Sequence, residues 1–236
     1  MPQFRIDPPT ITNETVAITG PLAHHVTRVL RCAAGATLRL TDARGTTWRG
    51  RIVEATPRVV TVALGAARLE PPPSTRITLA VALLPRDRWR IAVEKSVELG
   101  ADVIQPLLTA RTLIRATERT PRQVAHWQQI ADGAAEQCET AWWPQVNAPR
   151  PLTALLQDVT QFDRVVWCRE REPSATMPTQ PATAATRLLC MIGPEGGWTN
   201  EEIAQITAAN AEPLSLGPRI LRTETAALAA LIHLQR

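Results

Sequence analysis

The chain has 236 residues, 44% of them hydrophobic and 20% charged, which is enough for one large domain or for two small domains with cores of their own. No apolar run approaches the roughly 20 residues of a membrane-spanning helix, and the first residues lack a secretory signal, so we expect a cytoplasmic protein without a membrane partner. The net charge of +4 permits a nucleic-acid partner but does not require one.

Cysteine spacing and aromatic content exclude further classes of site. The four cysteines are scattered and form no C-x-x-C pair, which argues against a structural zinc site and a disulfide framework, and we expect no metal. Tyrosine is absent and only two phenylalanines occur, so an RNA-binding sheet with stacked aromatic side chains is disfavoured.

Residues 1–70 are rich in short β-type segments. Turn residues separate four predicted strands, which cover residues 15–20, 36–41, 47–53 and 59–64. One helical segment, residues 22–31, interrupts them. This pattern predicts a small β-barrel. A proline-rich linker at residues 71–75 then separates this domain from a second one, residues 76–236.

Beyond the linker, predicted strands alternate with predicted helices. The strands are expected at residues 77–84, 101–108, 163–168 and 187–192. Helix-capping signals are expected at Asp87, Gly100, Thr120, Thr199 with Glu202, and Thr223. The alternation predicts an α/β domain with a parallel sheet covered on both faces.

A glycine-rich loop, Gly193-Pro-Glu-Gly-Gly197, follows the last of these strands. It matches neither G-x-G-x-x-G nor G-x-x-x-x-G-K-[ST], and its glutamate would repel a phosphate group. Glycines allow the main chain to approach a ligand closely. The loop therefore favours a neutral or cationic ligand bound by main-chain groups, or it is a tight structural turn.

A second glycine-proline turn lies within residues 214–226 and carries Arg219 and Arg222. Two such turns at the carboxyl ends of parallel strands form a ligand crevice. If this turn is helical, the two arginines face the same side. Cations are unfavourable at a helix N-terminus, which indicates a bound anion or a chemical role, although Glu224 in the first turn would offset part of the charge. The alternative is that the arginines only solvate the helix start.

These two stretches, IGPEGGWTNEE and LSLGPRILRTETA, resemble the signature segments of the SPOUT methyltransferases. The chain is most similar to the family of bacterial ribosomal RNA small subunit methyltransferase E, which methylates N3 of one uridine in 16S ribosomal RNA. Three further segments agree with that family: HVTRVLR, EKSVELG and AAEQ. Together, the five segments cover almost the whole chain in the expected order.

The resemblance implies an N-terminal PUA-like β-barrel and a C-terminal SPOUT α/β domain with a deep trefoil knot. It also implies a homodimer that binds S-adenosyl-L-methionine in the knot. Cofactor binding is carried over to nine positions that match the family motifs: Ile192, Gly193, Pro194, Gly196, Gly197, Leu216, Gly217, Ile220 and Leu221.

The resemblance also places Glu195 and Arg222 at motif positions, and we predict that both are catalytic. The N3 atom of uracil must lose a proton as it is methylated, and Glu195 could accept or relay that proton. The alternative role for Glu195 is to cap the following turn. Arg222 could stabilise the negative charge that develops on the uracil oxygens, or it could form an internal salt bridge to Glu195 or Glu224.

Five side chains are candidates for RNA binding, because arginines pair well with phosphates and because several match a family motif. They are His25, Arg28, Arg31, Arg111 and Arg219. His25 could instead be a core histidine. The family usually has an arginine soon after the AAEQ segment, and this chain has Thr140 there. Trp142 and Trp143 follow, and they could stack on RNA bases or pack in the core or in a dimer interface.

The leading hypothesis is therefore a methyltransferase that uses S-adenosyl-L-methionine and acts on a uridine of 16S ribosomal RNA, as free RNA or in the small ribosomal subunit. Two alternatives remain: a methyltransferase of the same fold that acts on a different RNA nucleotide, and a noncatalytic RNA-binding module. A nicotinamide-dependent dehydrogenase is disfavoured, because no glycine fingerprint follows an early strand.

Overall fold

The computed structural model describes residues 1–114, 120–169 and 186–234. The chain divides into two compact units. The N-terminal unit contains Met1–Pro72 together with Ala135–Trp143, and the C-terminal unit contains the rest of the described chain. The boundary at Pro72 falls within the expected linker. Residues 135–143 belong to the first unit, whereas the sequence analysis assigned them to the second domain.

The N-terminal unit is built on a six-stranded sheet. Its strands are β1 (Gln3–Arg5), β2 (Thr15–Thr19), β3 (Thr37–Thr41), β4 (Thr46–Ala55), β5 (Val59–Leu64) and β6 (Arg68–Leu69). They pair in the order β1-β3-β4-β5-β2, and β6 pairs with β4. The β1–β3 pair is parallel and the other pairs are antiparallel. The four strands expected from the sequence are present, and β1 and β6 are additional.

Alternating side chains of these strands form the core of the unit, as expected for a sheet with one buried face. The core contains Phe4, Val16, Ile18, Leu38, Leu40, Ile52, Val60 and Val62, among other residues. A 3₁₀ turn (Pro8–Thr10) lies between β1 and β2, while helix α1 (Gly20–His24) and a π-helical turn (His25–Val29) lie between β2 and β3. The helical segment expected at residues 22–31 is therefore present but ends earlier, and Arg31 has a φ of +55°.

The segment 135–143 is hydrogen-bonded into this unit. The side-chain amide of Gln3 donates to the carbonyl oxygen of Thr140 at 2.7 Å. The amide of Gly45 donates to the carbonyl oxygen of Ala141 at 3.1 Å. These bonds join residues distant in sequence, so the unit is assembled from two separate pieces of chain.

The two tryptophans of this segment pack within the N-terminal unit. The indole Nε1 of Trp142 donates to the carbonyl oxygen of Pro71 at 3.1 Å. Its ring covers Gly45, where a β-carbon would lie 2.4 Å from a ring atom. The guanidinium of Arg5 lies 5.8 Å from the centre of the Trp143 ring. Of the alternatives weighed for these residues, packing is the one that the structure supports.

The C-terminal unit contains a seven-stranded sheet in which every pair is parallel. Its strands are β7 (Thr75–Ala82), β8 (Val103–Leu108), β9 (Gln145–Val146), β10 (Arg150–Pro151), β11 (Arg164–Cys168), β12 (Thr186–Ile192) and β13 (Glu212–Leu214). The order is β10-β8-β7-β12-β11-β13, and β9 pairs with β8. The predicted parallel α/β sheet is confirmed.

Helices connect most of these strands. They are α2 (Arg86–Glu98), α3 (Thr120–Gln137), α4 (Leu152–Leu156), α5 (Asn200–Ala208) and α6 (Thr223–Leu234), with a 3₁₀ turn at Val159–Gln161. The last turn of α3 belongs to the N-terminal unit. No helix in the described ranges is long and apolar enough to cross a membrane.

The helix-capping predictions were right in part. Thr199 and Glu202 form the expected capping box at the start of α5. Gly100, after α2, has the expected left-handed backbone, with a φ of +75°. Asp87 is not the N-cap of α2, because the helix already begins at Arg86 and Pro85 occupies the cap position. Thr223 is the first helical residue of α6, and its hydroxyl makes a different contact, described below.

Because β12 is a central strand, the first glycine-rich loop, which follows it, lies at the middle of one edge of the sheet. Leu188 to Ile192 are all buried, because β12 lies between β7 and β11 and both faces of the sheet are covered. The strands are parallel, so β8, β11, β12 and β13 all end at the same edge. The residues that follow these four strands converge there, as ligand-binding loops do in open α/β sheets.

Candidate functional site

The first glycine-rich loop, residues 193–197, leads from β12 towards α5. The ring of Trp198 packs against Gly193, where a β-carbon would lie 2.8 Å from the ring atoms Cε2 and Nε1. The indole Nε1 of Trp198 donates to the carbonyl oxygen of Cys168 at 3.0 Å, which fixes the ring. Any residue larger than glycine at position 193 would displace Trp198.

Main-chain groups of this loop are held in place at several points. The hydroxyl of Thr223, at the start of α6, donates to the carbonyl oxygen of Gly193 at 3.0 Å. The amide of Gly197 donates to the carbonyl oxygen of Pro194 at 2.9 Å, and Gly197 has a φ of +70°. The first bond ties the loop to α6, and the second closes a tight turn that glycine adopts without strain.

Two arginines contact the same loop from other elements. Arg111, in the loop after β8, donates from Nη1 to the carbonyl oxygen of Gly196 at 2.6 Å. Arg88, in the first turn of α2, forms an ion pair with Glu195 through Nη1 and Oε1. The loop is thus fixed from three sides, by α2, by the segment after β8 and by α6.

The second loop, residues 215–222, follows β13 and has fewer contacts. The amide of Gly217 lies 3.4 Å from the hydroxyl oxygen of Ser215, and Gly217 has a φ of +102°. Residues 217–220 are exposed, and the exposed fraction of Ile220 is 55%. The loop is not helical, so the sequence argument that Arg219 and Arg222 would share one helical face does not apply.

The two loops enclose a cavity of about 780 Å³ within the C-terminal unit. This volume lies within the range typical of small-molecule sites, about 300–1,000 Å³. Its walls contain all nine residues that the sequence analysis assigned to the cofactor: Ile192, Gly193, Pro194, Gly196, Gly197, Leu216, Gly217, Ile220 and Leu221. Glu195, Arg111 and Arg219 line it as well.

The charged groups of the cavity are mainly cationic. Arg111, Arg169 and Arg219 contribute guanidinium groups, and Arg169 also lies 5.8 Å from the centre of the Trp167 ring. Among the described residues that line the cavity, Glu195 is the one carboxylate. The cavity can therefore bind a ligand that carries a negative group and also a positive one.

Of the two residues predicted to be catalytic, Glu195 lines the cavity and Arg222 does not. Arg222 has an exposed side chain, and its carbonyl oxygen accepts a hydrogen bond from the amide of Ala226 at 2.8 Å. The alternative of an internal salt bridge finds no support, because Glu195 is paired with Arg88 and the Oε2 atom of Glu224 is buried without a hydrogen-bond partner among the described residues.

The three RNA-binding candidates of the N-terminal unit lie together at the end of its helical segment. His25 is exposed, with its ring edge-on to Phe4 at a centroid distance of 6.3 Å, so the alternative of a core histidine is wrong. Arg28 and Arg31 are exposed as well. The hydrophobic Val29, 60% exposed, lies between them in sequence.

Two cysteines occupy adjacent strands beneath the cavity. Cys168, the last residue of β11, lines the cavity and is partly exposed, while Cys190 of β12 is fully buried. A hydrogen bond with Cys168 and, next, burial raise the pKa of the Cys190 thiol well above its ordinary value. Cys168 is thus the thiol of this pair that a ligand or a reagent in the cavity can reach.

Sequence reasoning missed several residues that shape the site, namely Arg88, Cys168, Arg169 and Trp198. The charge pattern of α2 contained one usable signal. An arginine in the first turn of a helix is unfavourable beside the positive end of the helix dipole, so an anionic partner for Arg88 could be expected. Nothing in the local sequence identified that partner as Glu195.

Comparison with known proteins agrees with this geometry. The family model for an RNA methyltransferase domain matches residues 70–235, and the model for an RNA methyltransferase PUA domain matches residues 18–64. The chain is similar to ribosomal RNA small subunit methyltransferase E of Synechocystis, with 32% identity over 97% of this chain and 75% of the relative. The protein of the same name from Bacillus subtilis is 29% identical, over 92% of this chain and 88% of the relative.

A solved structure covers the same architecture. The crystal structure of a ribosomal RNA small subunit methyltransferase E from Neisseria gonorrhoeae, bound to S-adenosyl methionine, superimposes with a TM-score of 0.89 and 27% identity, over 100% of this chain and 97% of the other. The N-terminal unit is thus a PUA-like domain and the C-terminal unit a methyltransferase domain. The chain belongs to the family of RNA methyltransferases that includes ribosomal RNA small subunit methyltransferase E.

Proposed function

We propose that this protein transfers a methyl group from S-adenosyl-L-methionine to N3 of a uridine in 16S ribosomal RNA of the small ribosomal subunit. The observation that carries the proposal is the cavity between the two glycine-rich loops. Two relatives of this chain are named ribosomal RNA small subunit methyltransferase E. The whole chain also resembles a solved structure of a protein of that name, which is bound to S-adenosyl methionine.

The residues of the cavity fit this cofactor. S-adenosyl-L-methionine carries a cationic sulfonium, a carboxylate and an adenine ring. Glu195 offers a negative charge for the sulfonium, and Arg111, Arg169 and Arg219 offer positive charges for the carboxylate. Main-chain groups of the two loops would bind the adenine ring, because glycines leave them accessible.

The bound cofactor supplies an electrophilic methyl group, which leaves the sulfonium sulfur as the attacking nitrogen forms its bond to carbon. We assign two tasks in this step to the protein. Glu195 accepts the N3 proton of uracil, which must leave as the nitrogen attacks. Arg222 stabilises the negative charge that develops on the uracil oxygens. Arg222 is exposed at the second loop, where an RNA substrate can reach it.

We assign RNA binding to both units. His25, Arg28 and Arg31 form an exposed, basic stretch on the PUA-like domain, and Arg219 is exposed at the cavity. Arg111 takes a combined role, because its guanidinium already donates to the carbonyl oxygen of Gly196. Phosphate contacts of this kind make RNA affinity strongly dependent on salt.

We further infer a homodimer and a knotted catalytic domain. The resemblance to the SPOUT family supports the homodimer. Sedimentation at several protein concentrations tests the dimer. The resemblance to the SPOUT family supports the deep trefoil knot, and the match to a PUA domain supports a PUA-like β-barrel at the N-terminus.

Two experiments test the proposed function. Calorimetric titration with S-adenosyl-L-methionine should show binding, and titration with NAD should show none. Mass mapping of 16S ribosomal RNA from cells that lack the protein should show one uridine without its methyl group, and purified protein should restore it in isolated small subunits. A lost methyl group on a different nucleotide would correct the target, and unchanged RNA together with bound cofactor would favour a noncatalytic module.

A further inference from the structure

Arg88 contacts the first glycine-rich loop, residues 193–197, although the two are far apart in sequence. Its guanidinium pairs with Glu195, and the two side chains are 30% and 40% exposed. Arg88 stands in the first turn of α2, where a cation is disfavoured by the helix dipole. An ion pair with a carboxylate offsets that cost, so the partner explains why an arginine is found at this position.

The side chain of Glu195 needs such a contact. The loop main chain is fixed at Gly193 by Thr223 and at Gly196 by Arg111, but these bonds leave the torsions of the Glu195 side chain free. In the described part of the chain, Arg88 is the group that binds its carboxylate. The ion pair therefore fixes the position of the carboxylate, from which it can accept a proton.

We propose that Arg88 is a positioning residue for the methyl-transfer reaction. It holds the Glu195 carboxylate in place at the cavity wall through the ion pair, and it makes no contact with the substrate itself. This inference rests on the proposed function, in which Glu195 accepts the N3 proton. It assigns to α2 a role in the chemistry besides packing against α6.

A double-mutant cycle tests this role. We would measure the single-turnover rate of methyl transfer to small subunits that lack the modification, with enzyme and cofactor saturating, for Arg88→Ala, Glu195→Gln and the double variant. Arg88→Ala should lower the rate by roughly 10- to 100-fold, as expected when a hydrogen bond to a charged group is lost. In the Glu195→Gln background the same substitution should have no further effect.

Control variants separate positioning from folding. Arg88→Lys should recover most of the rate, because it restores the charge. Arg86→Ala, at an exposed arginine of the same helical turn, should leave the rate and the melting temperature unchanged. Arg88→Ala should also unfold at the temperature of the wild-type protein.

Three results would overturn the inference. Arg88→Ala could transfer methyl groups at the full rate, could cost the same factor in both Glu195 backgrounds, or could weaken cofactor binding alone while the saturated rate stays normal. In each case the wild-type protein is active, so the proposed function stands. A wild-type protein that binds no S-adenosyl-L-methionine would instead overturn the proposed function, and this inference with it.

Discussion

The two loops that enclose the cavity are built differently. The first, residues 193–197, is tied to α6 through Thr223, to α2 through Arg88 and to the segment after β8 through Arg111. For the second, residues 215–222, the described structure gives one long contact between Gly217 and Ser215 and the bond that starts α6. The first loop is therefore fixed by contacts within the protein. The second loop has few such contacts, and we expect the cofactor and the RNA to contribute further ones.

The largest expected effect tests whether the exposed second loop takes part in the chemistry. Arg222→Ala should lower the single-turnover rate of methyl transfer by about 10²- to 10³-fold, because a charge that stabilises the transition state is lost. The affinity for S-adenosyl-L-methionine, measured by calorimetry, should not change, since Arg222 does not line the cavity. A strong loss of cofactor binding would instead give Arg222 a role in the cofactor site.

The next effect tests the rigidity of the first loop. Gly193→Ala would place a methyl group 2.8 Å from the ring of Trp198, so the ring or the loop must shift. We expect cofactor affinity to fall roughly 10- to 100-fold, the range that corresponds to overpacking a tight site. Gly133→Ala on α3 is the matched control, because a β-carbon there meets no atom within 4 Å. Equal affinities for the two variants would show that the first loop adapts easily.

A smaller effect compares one hydrogen bond in each loop. Thr223→Val removes the bond to Gly193 and should weaken cofactor binding about fivefold, as expected for one net hydrogen bond. Thr223→Ser should restore the affinity. Ser215→Ala should have less effect, because the contact to Gly217 is 3.4 Å long. If Ser215→Ala proved the more damaging of the two, the second loop would be the better ordered wall.

The smallest effect concerns thiol reactivity at the cavity. Iodoacetamide should modify Cys168 at neutral pH, while Cys190 should stay unmodified. Cys190 is buried, and its raised pKa, due first to the hydrogen bond with Cys168 and then to burial, lowers further the small fraction of thiolate that a thiol has at neutral pH. Peptide mass mapping should show that S-adenosyl-L-methionine slows the modification of Cys168. Modification at an unchanged rate would place the cofactor away from β11.

The loops themselves could be predicted from the sequence, because glycine spacing and the capping box of Thr199 and Glu202 are local signals. The nine residues assigned to cofactor binding from motif positions line one cavity. The ion pair of Arg88 with Glu195 could not be predicted, since it joins α2 to a loop that is remote in sequence. The direction of the Arg222 side chain depends on a turn that is not helical, and motif position alone does not determine it.

The domain boundaries also depend in part on contacts between distant segments, which the sequence does not reveal. The proline-rich linker was visible as a change in composition, and the boundary at Pro72 falls within it. The contribution of residues 135–143 to the first unit was not visible, because it depends on hydrogen bonds such as that from Gln3 to Thr140. Sequence patterns register local periodicity and turn chemistry, but not pairings between distant segments.

The two-piece construction of the N-terminal unit limits how modular this protein is. If the chain were cut at the linker, the isolated first 72 residues would lose the carbonyl acceptors of Gln3 and Gly45 and the indole ring that covers Gly45. A chimaera that exchanges the PUA-like domain with that of a relative would therefore have to transplant residues 135–143 as well. Recombination at a single point in the linker would therefore leave the N-terminal unit without one of its two pieces.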